Sequence, residues 1–454
     1  MNDVLTVVMA LAAAAGAWAA RPVPLWLGLV LAAIAFARRR PVLLVIAVGL
    51  MASTMSARSW AGLRPPAPRA VVDVMTLLTD PEPVAGAIRV EARVGHRHAE
   101  LWARGASAGA LYHRLAGERV EIGGRLRPLS PAMRMRLGRR HIAAQIDVER
   151  VGRVWPGSLP VRYANLLRRT LERGAEQLPS VQRSLFAGFV LGDDRGQPEE
   201  VTDEFRRSGL SHLLVVSGEN VAFVLALVAP LLHRVGLRMR LVLGVLVLLG
   251  FGLVIRWEPS VLRAEAMAAI AMTATALGRP VSSIRVLALA VTALLLVDPM
   301  LVRSVGFLLS VGACTGIALL AAPIARRLPG PRPLASAMGV TMAAQMGVAP
   351  ILIPVFGPLP LATVPANLLA IPAAGPIMVW GMTAGVAAGL VPAPVARLLH
   401  VPTRLLIAWV AGVARVGARL PLGHVGLVPL VVVALAVVAA RTARLRSARA
   451  VEHR

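Results

Sequence analysis

Long apolar runs separated by short basic or glycine- and proline-rich breaks occupy most of this chain. The stretches from Ser211 to Leu232, Leu241 to Ile255 and Val425 to Ala440 approach the ~20 residues that a helix needs to cross a hydrocarbon core of about 30 Å. Residues 1 to 60 add two or three more, Val4 to Ala20, Val23 to Phe36 and Pro41 to Met55. Burying so many runs predicts a polytopic all-α membrane bundle of about ten to eleven transmembrane helices.

Between Arg69 and Gly157 the pattern changes. Ala87 to Val94, Glu118 to Leu126 and Ile142 to Val151 show partial period-two alternation with turn residues between them, as expected of strands in a small antiparallel barrel. Residues 158 to 180 then fit an amphipathic linker helix carrying Arg162, Arg168, Arg169, Arg173 and Glu172, suited to lying along a membrane surface. The chain thus divides into transmembrane segments over 1–60, a β domain over 69–157, the linker over 158–180, a second bundle over 181–440 and a basic tail over 441–454.

Orientation follows from arginine. The triplet Arg38 to Arg40 is expected to be cytoplasmic, so the next segment delivers the β domain to the outside; the tail, with Arg441, Arg444, Arg446, Arg449 and Arg454, is expected to be cytoplasmic too. Met1-Asn2-Asp3 offers no basic region ahead of the first apolar run, which favours a retained anchor over a cleaved signal peptide.

Composition agrees with a membrane protein: 57% of residues are hydrophobic, 16% are charged and the mean hydropathy is +0.69. All 49 basic side chains are arginine and the net charge is +26. Without lysine the chain cannot form a Walker A loop, whose phosphate-binding residue is lysine. The single cysteine, Cys314, excludes an intramolecular disulfide and a multi-cysteine zinc site. Residues 86 to 155 hold 14 arginines against six acids, an excess of eight positive charges. Such an excess is the footprint of a polyanion-binding surface. A solvated basic face, or attraction to anionic lipid headgroups, fits the charge equally well. The arginines assigned to that surface are Arg89, Arg93, Arg97, Arg125, Arg127, Arg134, Arg136, Arg139 and Arg140.

Over residues 210 to 440 only four acids occur: Glu219, Glu258, Glu265 and Asp298. A charge at the bilayer centre costs about 2.5 to 3.5 kcal/mol even on the lenient insertion scale, so each is expected to face a bundle interior or water. Ser217, Gly218, Glu219 and Asn220 interrupt an apolar run and predict a broken helix lining a cavity; a tight packing contact at Gly218 is the plainer alternative. Arg263 and Glu265 lie two apart, so they do not share a helix face and are expected to have separate partners, with a pair between Arg263 and Glu219 open. Asp298-Pro299 reads equally as an interfacial helix stop. From Pro350 to Pro376 seven prolines interrupt an apolar sequence that contains Asn367, which rules out one straight helix. The candidate path is therefore lined by Ser217, Gly218, Glu219, Asn220, Arg263, Glu265, Asp298 and Asn367.

Enzyme motifs are sparse. Ser217 is not in a G-x-S-x-G elbow, and neither H-E-x-x-H nor H-x-H-x-D-H occurs. His96, His98 and Glu100 could share a strand face as metal ligands, although surface histidines account for them as well. No catalytic residue, metal or cofactor is expected. A membrane-embedded hydrolase using His212, Ser217 and Glu219, and a secondary transporter of a small anionic solute or lipid, are the rival readings.

The stretch "FAGFVLGDDRGQPEEVTDEFRRSGLSHLLVVSGENVAFVLALVAPLL" from Phe186 to Leu232 closely resembles the signature of ComEC-type competence proteins, the DNA-uptake channels of transformable bacteria. Three further stretches follow in that family's order: "RAEAMAAIAMTATALGRP" from Arg263, "DPMLVRSVGFLLSVGACTGI" from Asp298 and "PANLLAIP" from Pro365. The resemblance covers about residues 60 to 440. It implies an OB-like fold for the basic β domain, outside a bacterial cytoplasmic membrane, and a channel for single-stranded DNA built by residues 181–440. The chain departs from the signature at Glu219-Asn220, where a leucine-histidine pair usually follows Ser-Gly. It also ends at Arg454 without the metallo-β-lactamase-like domain of many members, so degradation of the other strand would fall to a separate nuclease. Moving phosphate inward opposes an inside-negative potential by about 2.3 kcal/mol per charge per 100 mV. A chain without an ATPase motif is then expected to be a conduit and not the motor, with energy from a separate cytoplasmic motor, a coupled ion flux or capture of the strand inside, and with a separate DNA receptor.

Overall fold

The computed structural model describes residues 2–426 except 65, 215 and 280; the basic tail from Arg441, and the apolar stretch up to Ala440 beyond Gly426, lie outside the described residues. The chain is mostly helical. Six helices are long and apolar enough to cross a membrane: Pro41–Gly62, Leu237–Ile255, Val305–Ala325, Arg332–Phe356, Thr363–Ala388 and Val401–Arg419. Six such helices are the architecture of a multi-pass membrane protein. Four more apolar helices are shorter, namely Asp3–Ala19, Leu25–Ala37, Gly218–Leu232 and Ser283–Val297. At 1.5 Å per residue, 15 residues extend about 22 Å, less than a hydrocarbon core, because the chain leaves helical geometry inside the apolar run. Among the described residues, length and composition together therefore qualify fewer helices than the ten to eleven crossings that the apolar runs suggest.

Contacts divide the chain into two compact units, one formed by residues 1–197, 215–307 and 375–407, the other by 198–214, 308–374 and the residues from 408 onward. In the first unit, Asp3–Ala19 packs on Pro41–Gly62 through glycines. A Cβ on Gly16 would lie 2.0 Å from the Gly49 carbonyl oxygen, so only glycine permits this approach. Asp3 also meets Arg285 at 2.7 Å, and the Arg303 guanidinium lies 4.3 Å over the Trp18 ring.

The β domain contains β1 (Arg69–Leu77), β2 (Glu82–Val84), β3 (Ala87–Val94), β4 (Arg97–Ala103), β5 (Arg119–Pro128) and β6 (Ile142–Trp155). They form a mixed sheet in the order β1-β5-β6-β4-β3-β2, with a further β1–β3 pairing. Only β4 and β6 run parallel; the other pairings are antiparallel. Alternate side chains such as Met75, Val90, Leu101, Val120, Ile122 and Ile146 meet in one core, which is the physical basis of the alternation in those stretches. Ala85 and Gly86, both at positive φ, make the two-residue turn between β2 and β3. At the β5–β6 bulge, a Cβ on Gly124 would lie 2.2 Å from the Asp147 carbonyl oxygen.

The helix Leu159–Ala175 buries Ala164, Arg168, Leu171 and Ala175, a stripe at helical spacing. Gly174 brings its backbone against Gly385 and Gly389. Leu159, Tyr163 and Leu166 lie on the exposed side. The helix is therefore seated in protein along one face, and the arginine at its centre is buried instead of lying at a membrane surface.

In the second unit, Gly316 and Gly347 bring helices Val305–Ala325 and Arg332–Phe356 together: a Cβ on Gly316 would lie 2.2 Å from the Ala343 carbonyl oxygen. The proline-rich stretch forms two helices separated at Gly357, whose φ is +93°. Between them, Leu359–Pro360 pairs antiparallel with His424–Val425.

Within the first unit the β domain meets Asp298 through His141, whose Nε2 lies 3.0 Å from Oδ1. The hydrogen bond to Asp298 raises the His141 pKa against the opposing effect of burial. The His98 ring stands edge-on to it at 6.1 Å, and burial first, then His141 and Arg93, lower the pKa of His98. A raised histidine stabilises the fold below its unfolded pKa of about 6.5 and loses that contribution as pH rises through the folded value. Replacing His141 with glutamine should therefore lower the thermal midpoint of the detergent-purified chain more at about pH 5.5 than at about pH 8.5. An equal loss at both would show that the contact does not depend on imidazolium.

Candidate functional site

The apolar run beginning at Ser211 is not one helix. Ser211–Leu213 is a single 3-10 turn, and Gly218–Leu232 starts afresh after an extended Ser217. The Ser217 hydroxyl oxygen accepts from the Glu219 amide at 3.3 Å, a capping interaction that fixes the helix start. Glu219 occupies the first turn, where a carboxylate meets the positive end of the helix dipole. Asn220 donates through Nδ2 to the Phe189 carbonyl at 3.4 Å. The Ser260 hydroxyl donates to the Val216 carbonyl at 3.1 Å, tying this start to the helix Pro259–Ala276.

Arg263 and Glu265, both nearly fully buried on that helix, have separate surroundings. Arg263 donates to the Met267 sulfur at 3.1 Å and lies over Gly218, where a Cβ would come within 2.9 Å of Nη2. Glu265 faces Gly252, where a Cβ would come within 2.9 Å of Oε2; its Oε1 has no hydrogen-bond partner among the described residues. No ion pair among the described residues joins Arg263 to Glu219. Asp298 ends helix Ser283–Val297, and besides meeting His141 it accepts from the Met300 amide at 2.9 Å. Asn367 belongs to the second unit and is buried in helix Thr363–Ala388.

The nine β-domain arginines divide into two groups. Arg89 pairs with Glu82, Arg125 with Glu149, Arg127 with Asp147 and Arg140 with Glu91. Arg93 and Arg97 flank the β3–β4 turn, while Arg134, Arg136 and Arg139 sit on the helical connection before β6. Glu91 and Glu100 stand directly opposite on β3 and β4, a like-charge register that is unfavourable by itself. Arg140 relieves Glu91, and Trp102 and Gln145 donate to Glu100 at 2.9 and 3.0 Å; burial nonetheless pushes the Glu91 carboxyl up. His96 lies in the β3–β4 turn and not on the strand that carries His98 and Glu100. Among the described residues no group of three or more potential ligands could hold a metal ion. His212, in the 3-10 turn, is exposed.

Reading the sequence misses the most heavily committed polar cluster. Arg168 is 1% exposed; it pairs with Asp80 at 2.9 Å and donates to the Leu191 and Val254 carbonyls at 3.0 and 2.7 Å. Asp80 also pairs with Arg256 at 2.8 Å and accepts from the Ala116 amide at 2.8 Å. Asp193 adds a longer pair to Arg168, at 3.9 Å, and a close one to Arg195. Burial drives the Asp80 carboxyl up, but Arg168, Arg256 and the amide outweigh it, so the group is held below the ordinary carboxylate range. Asp193 and Arg195 stand inside the quoted signature, yet one sequence gives no sign that Asp80 and Arg256 belong with them.

These features belong to a membrane protein of the competence class. A family model described as Competence protein matches residues 189–449, more than half of the chain, and the chain belongs to that family. It is 26% identical over 258 residues to ComE operon protein 3 of Bacillus subtilis (strain 168), covering 56% of this chain and 33% of the relative. The chain thus spans about a third of that relative's length. No solved structure gives a significant match.

Removing one member of a buried ion cluster leaves the others charged and unpaired, typically at a cost of ~3–5 kcal/mol, whereas exposed pairs contribute ~0–1 kcal/mol. Asp80→Asn should therefore lower the thermal midpoint of the purified chain far more than Arg125→Gln, which breaks the exposed pair to Glu149. Comparable midpoints for the two variants would show that the cluster does not hold the unit together.

Proposed function

We propose that this chain is a membrane conduit for single-stranded DNA in natural transformation, acting in a bacterial cytoplasmic membrane. The observation that carries the reading is the competence-family match over residues 189–449. DNA uptake also agrees with a basic β domain. Its pairing order returns from β3 to β1, and a five-strand ring with the helix Gly105–Tyr112 between β4 and β5 supports an OB-like barrel, a fold that binds single strands. The arginine triplet at 38–40 supports placing that domain outside.

The reading makes the chain a conduit and not a motor. Inward movement then requires a cytoplasmic motor, an ion flux or capture of the strand inside, with a receptor delivering DNA. The four shorter apolar helices, joining the six longer ones, would bring the crossings among the described residues to about ten. Interrupted helices at Ser217–Asn220 and at Gly357 are the kind of backbone that lines a polar path.

The test combines a deletion strain with point variants. Deletion should abolish transformation; unchanged transformation would overturn the reading and leave transport of a small anionic solute as the better one. At Gly218 a side chain would meet Arg263 and Ala264 and force the two helices apart. Gly218→Leu should cut DNA uptake at least about tenfold, equivalent to ~1.4 kcal/mol, at normal membrane levels. Gly250→Leu, where a Cβ meets open space, serves as the control. Normal uptake with Gly218→Leu would take the segment Ser217–Asn220 out of the path.

A further inference from the structure

A cavity of about 850 Å³ in the first unit lies where the β domain meets the helices that follow it. Pro81, Pro83 and the segment from Tyr112 to Leu115 line it from the β domain; the rest comes from helices Leu159–Ala175 and Ser180–Phe186 and the residues after them. None of these helices is among the apolar ones long enough to cross a membrane.

Four arginines line the cavity, Arg114, Arg169, Arg183 and Arg195, against two acids, Glu172 and Asp193. They are not equally available. Arg169 is held by Glu118 at 2.6 Å, and Arg195 by Asp193 and the Pro81 carbonyl. Arg183 is exposed, and its side chain makes no hydrogen bond or ion pair among the described residues. Arg114 uses only Nε, donating to the Ala110 carbonyl at 3.2 Å. Asp193 is matched by its own arginines, and burial raises the Glu172 pKa. Even with Glu172 counted as charged, the two arginines without an acid partner, Arg114 and Arg183, outnumber it, so the unmatched charge of the cavity is positive.

An aromatic ring stands beside this charge. Tyr112 is 50% exposed, its ring 5.1 Å from that of His113. By contrast, the Trp102 indole is committed to Glu100. The volume is far more than an inorganic anion needs and lies within the ~300–1,000 Å³ of organic ligand sites. Free guanidinium groups, an accessible ring, and an apolar wall from Leu115, Phe186 and Leu191 suit a ligand that repeats phosphate, sugar and planar base.

We propose that this cavity holds a short segment of single-stranded DNA, with phosphates at Arg114 and Arg183 and a base against Tyr112. The assignment rests on the DNA-uptake reading and adds to it a port between the β domain and the helices. Guanidinium groups anchor the backbone through charge-assisted hydrogen bonds. The ring supplies sequence-tolerant stacking.

The test measures binding of a fluorescent oligothymidylate to the full chain in phosphatidylcholine nanodiscs as a function of salt. Arg114→Gln and Arg183→Gln should each weaken binding ~3–10-fold at low salt and make the log–log salt dependence shallower by roughly 0.7 per lost contact, the single-strand value. Tyr112→Ala should weaken binding about tenfold with the salt slope unchanged, and Tyr112→Phe should restore it. Arg238→Gln, at an exposed arginine on another helix, should change neither quantity. If the wild type binds and the three cavity variants match it in affinity and slope, the port is refuted while the uptake reading stands. If the wild type does not bind even at low salt, both fall. A third arm adds phosphatidylglycerol to the discs. Loss of oligonucleotide binding in the wild type, with Arg114→Gln and Arg183→Gln variants insensitive to the lipid, would assign the cavity to a lipid headgroup and overturn the proposal.

Discussion

The arrangement of the first unit depends on a carboxylate shared between two buried guanidinium groups. Asp80 follows β1, Arg168 sits mid-helix in Leu159–Ala175, and Arg256 stands at the end of Leu237–Ile255. Burying such charges costs several kcal/mol per ion, offset only where geometry is good and remaining donors are used. Here Arg168 fulfils that condition by also donating to two backbone carbonyls from different segments. One side chain thus fixes the β domain, the segment leading to Asp193 and the end of a membrane helix together. Apolar packing could hold these parts with similar energy, but it would not dictate a single register among them.

The same cluster explains an otherwise costly turn. Arg256 and Trp257 are consecutive non-glycine residues at positive φ, +66° and +56°, a conformation that persists only where the surroundings over-determine it. The ion pair to Asp80 holds Arg256 there, and the Trp257 ring packs against Gly252. The chain then reverses at once into Pro259–Ala276, which sets Arg263 over Gly218 and Glu265 beside Gly252. The positions of the buried charges on that helix are therefore downstream of a salt bridge formed by the β domain. Elsewhere helices approach through backbone contact at glycines such as Gly16, Gly174 and Gly316, as expected where lipid removes the hydrophobic drive for association.

What the sequence made legible is what one-dimensional periodicity encodes. Alternation over Ala87–Val94 and Ile142–Val151 marks strands because each strand sees one core, and the break at Ser217–Asn220 is visible because polar residues there have no other reason to interrupt an apolar run. Helix length was less legible. Apolar composition continues past the turn Ser211–Leu213, although helix Gly218–Leu232 starts only after an extended Ser217, so counting runs overstates the helices that are long enough to cross. Asp80 was invisible for a different reason. Its partners lie 88 and 176 positions away, and nothing local distinguishes it from an acid in a turn. Likewise the amphipathic pattern of 158–180 identified a helix with a polar face but could not tell a lipid-facing stripe from one that carries a buried arginine.

The charge excess of the β domain needs the same discrimination. Eight surplus positive charges suggest a surface that grips a polyanion strongly, yet Arg89, Arg125, Arg127 and Arg140 each have a carboxylate partner. Partnered arginines still contribute to the long-range field that draws a polyanion in, but each exchanges one hydrogen-bonded oxygen for another when a phosphate arrives, so the net gain per contact is small. For a conduit of the kind proposed above that is an advantage, because conduction requires sites favourable enough to enter and weak enough to leave. A path in which some guanidinium groups are already satisfied and others, such as Arg114 and Arg183, keep free donors would attract along its length and hold only at the free ones. Charge content therefore governs capture on this reading, while the pairing state of individual arginines governs release.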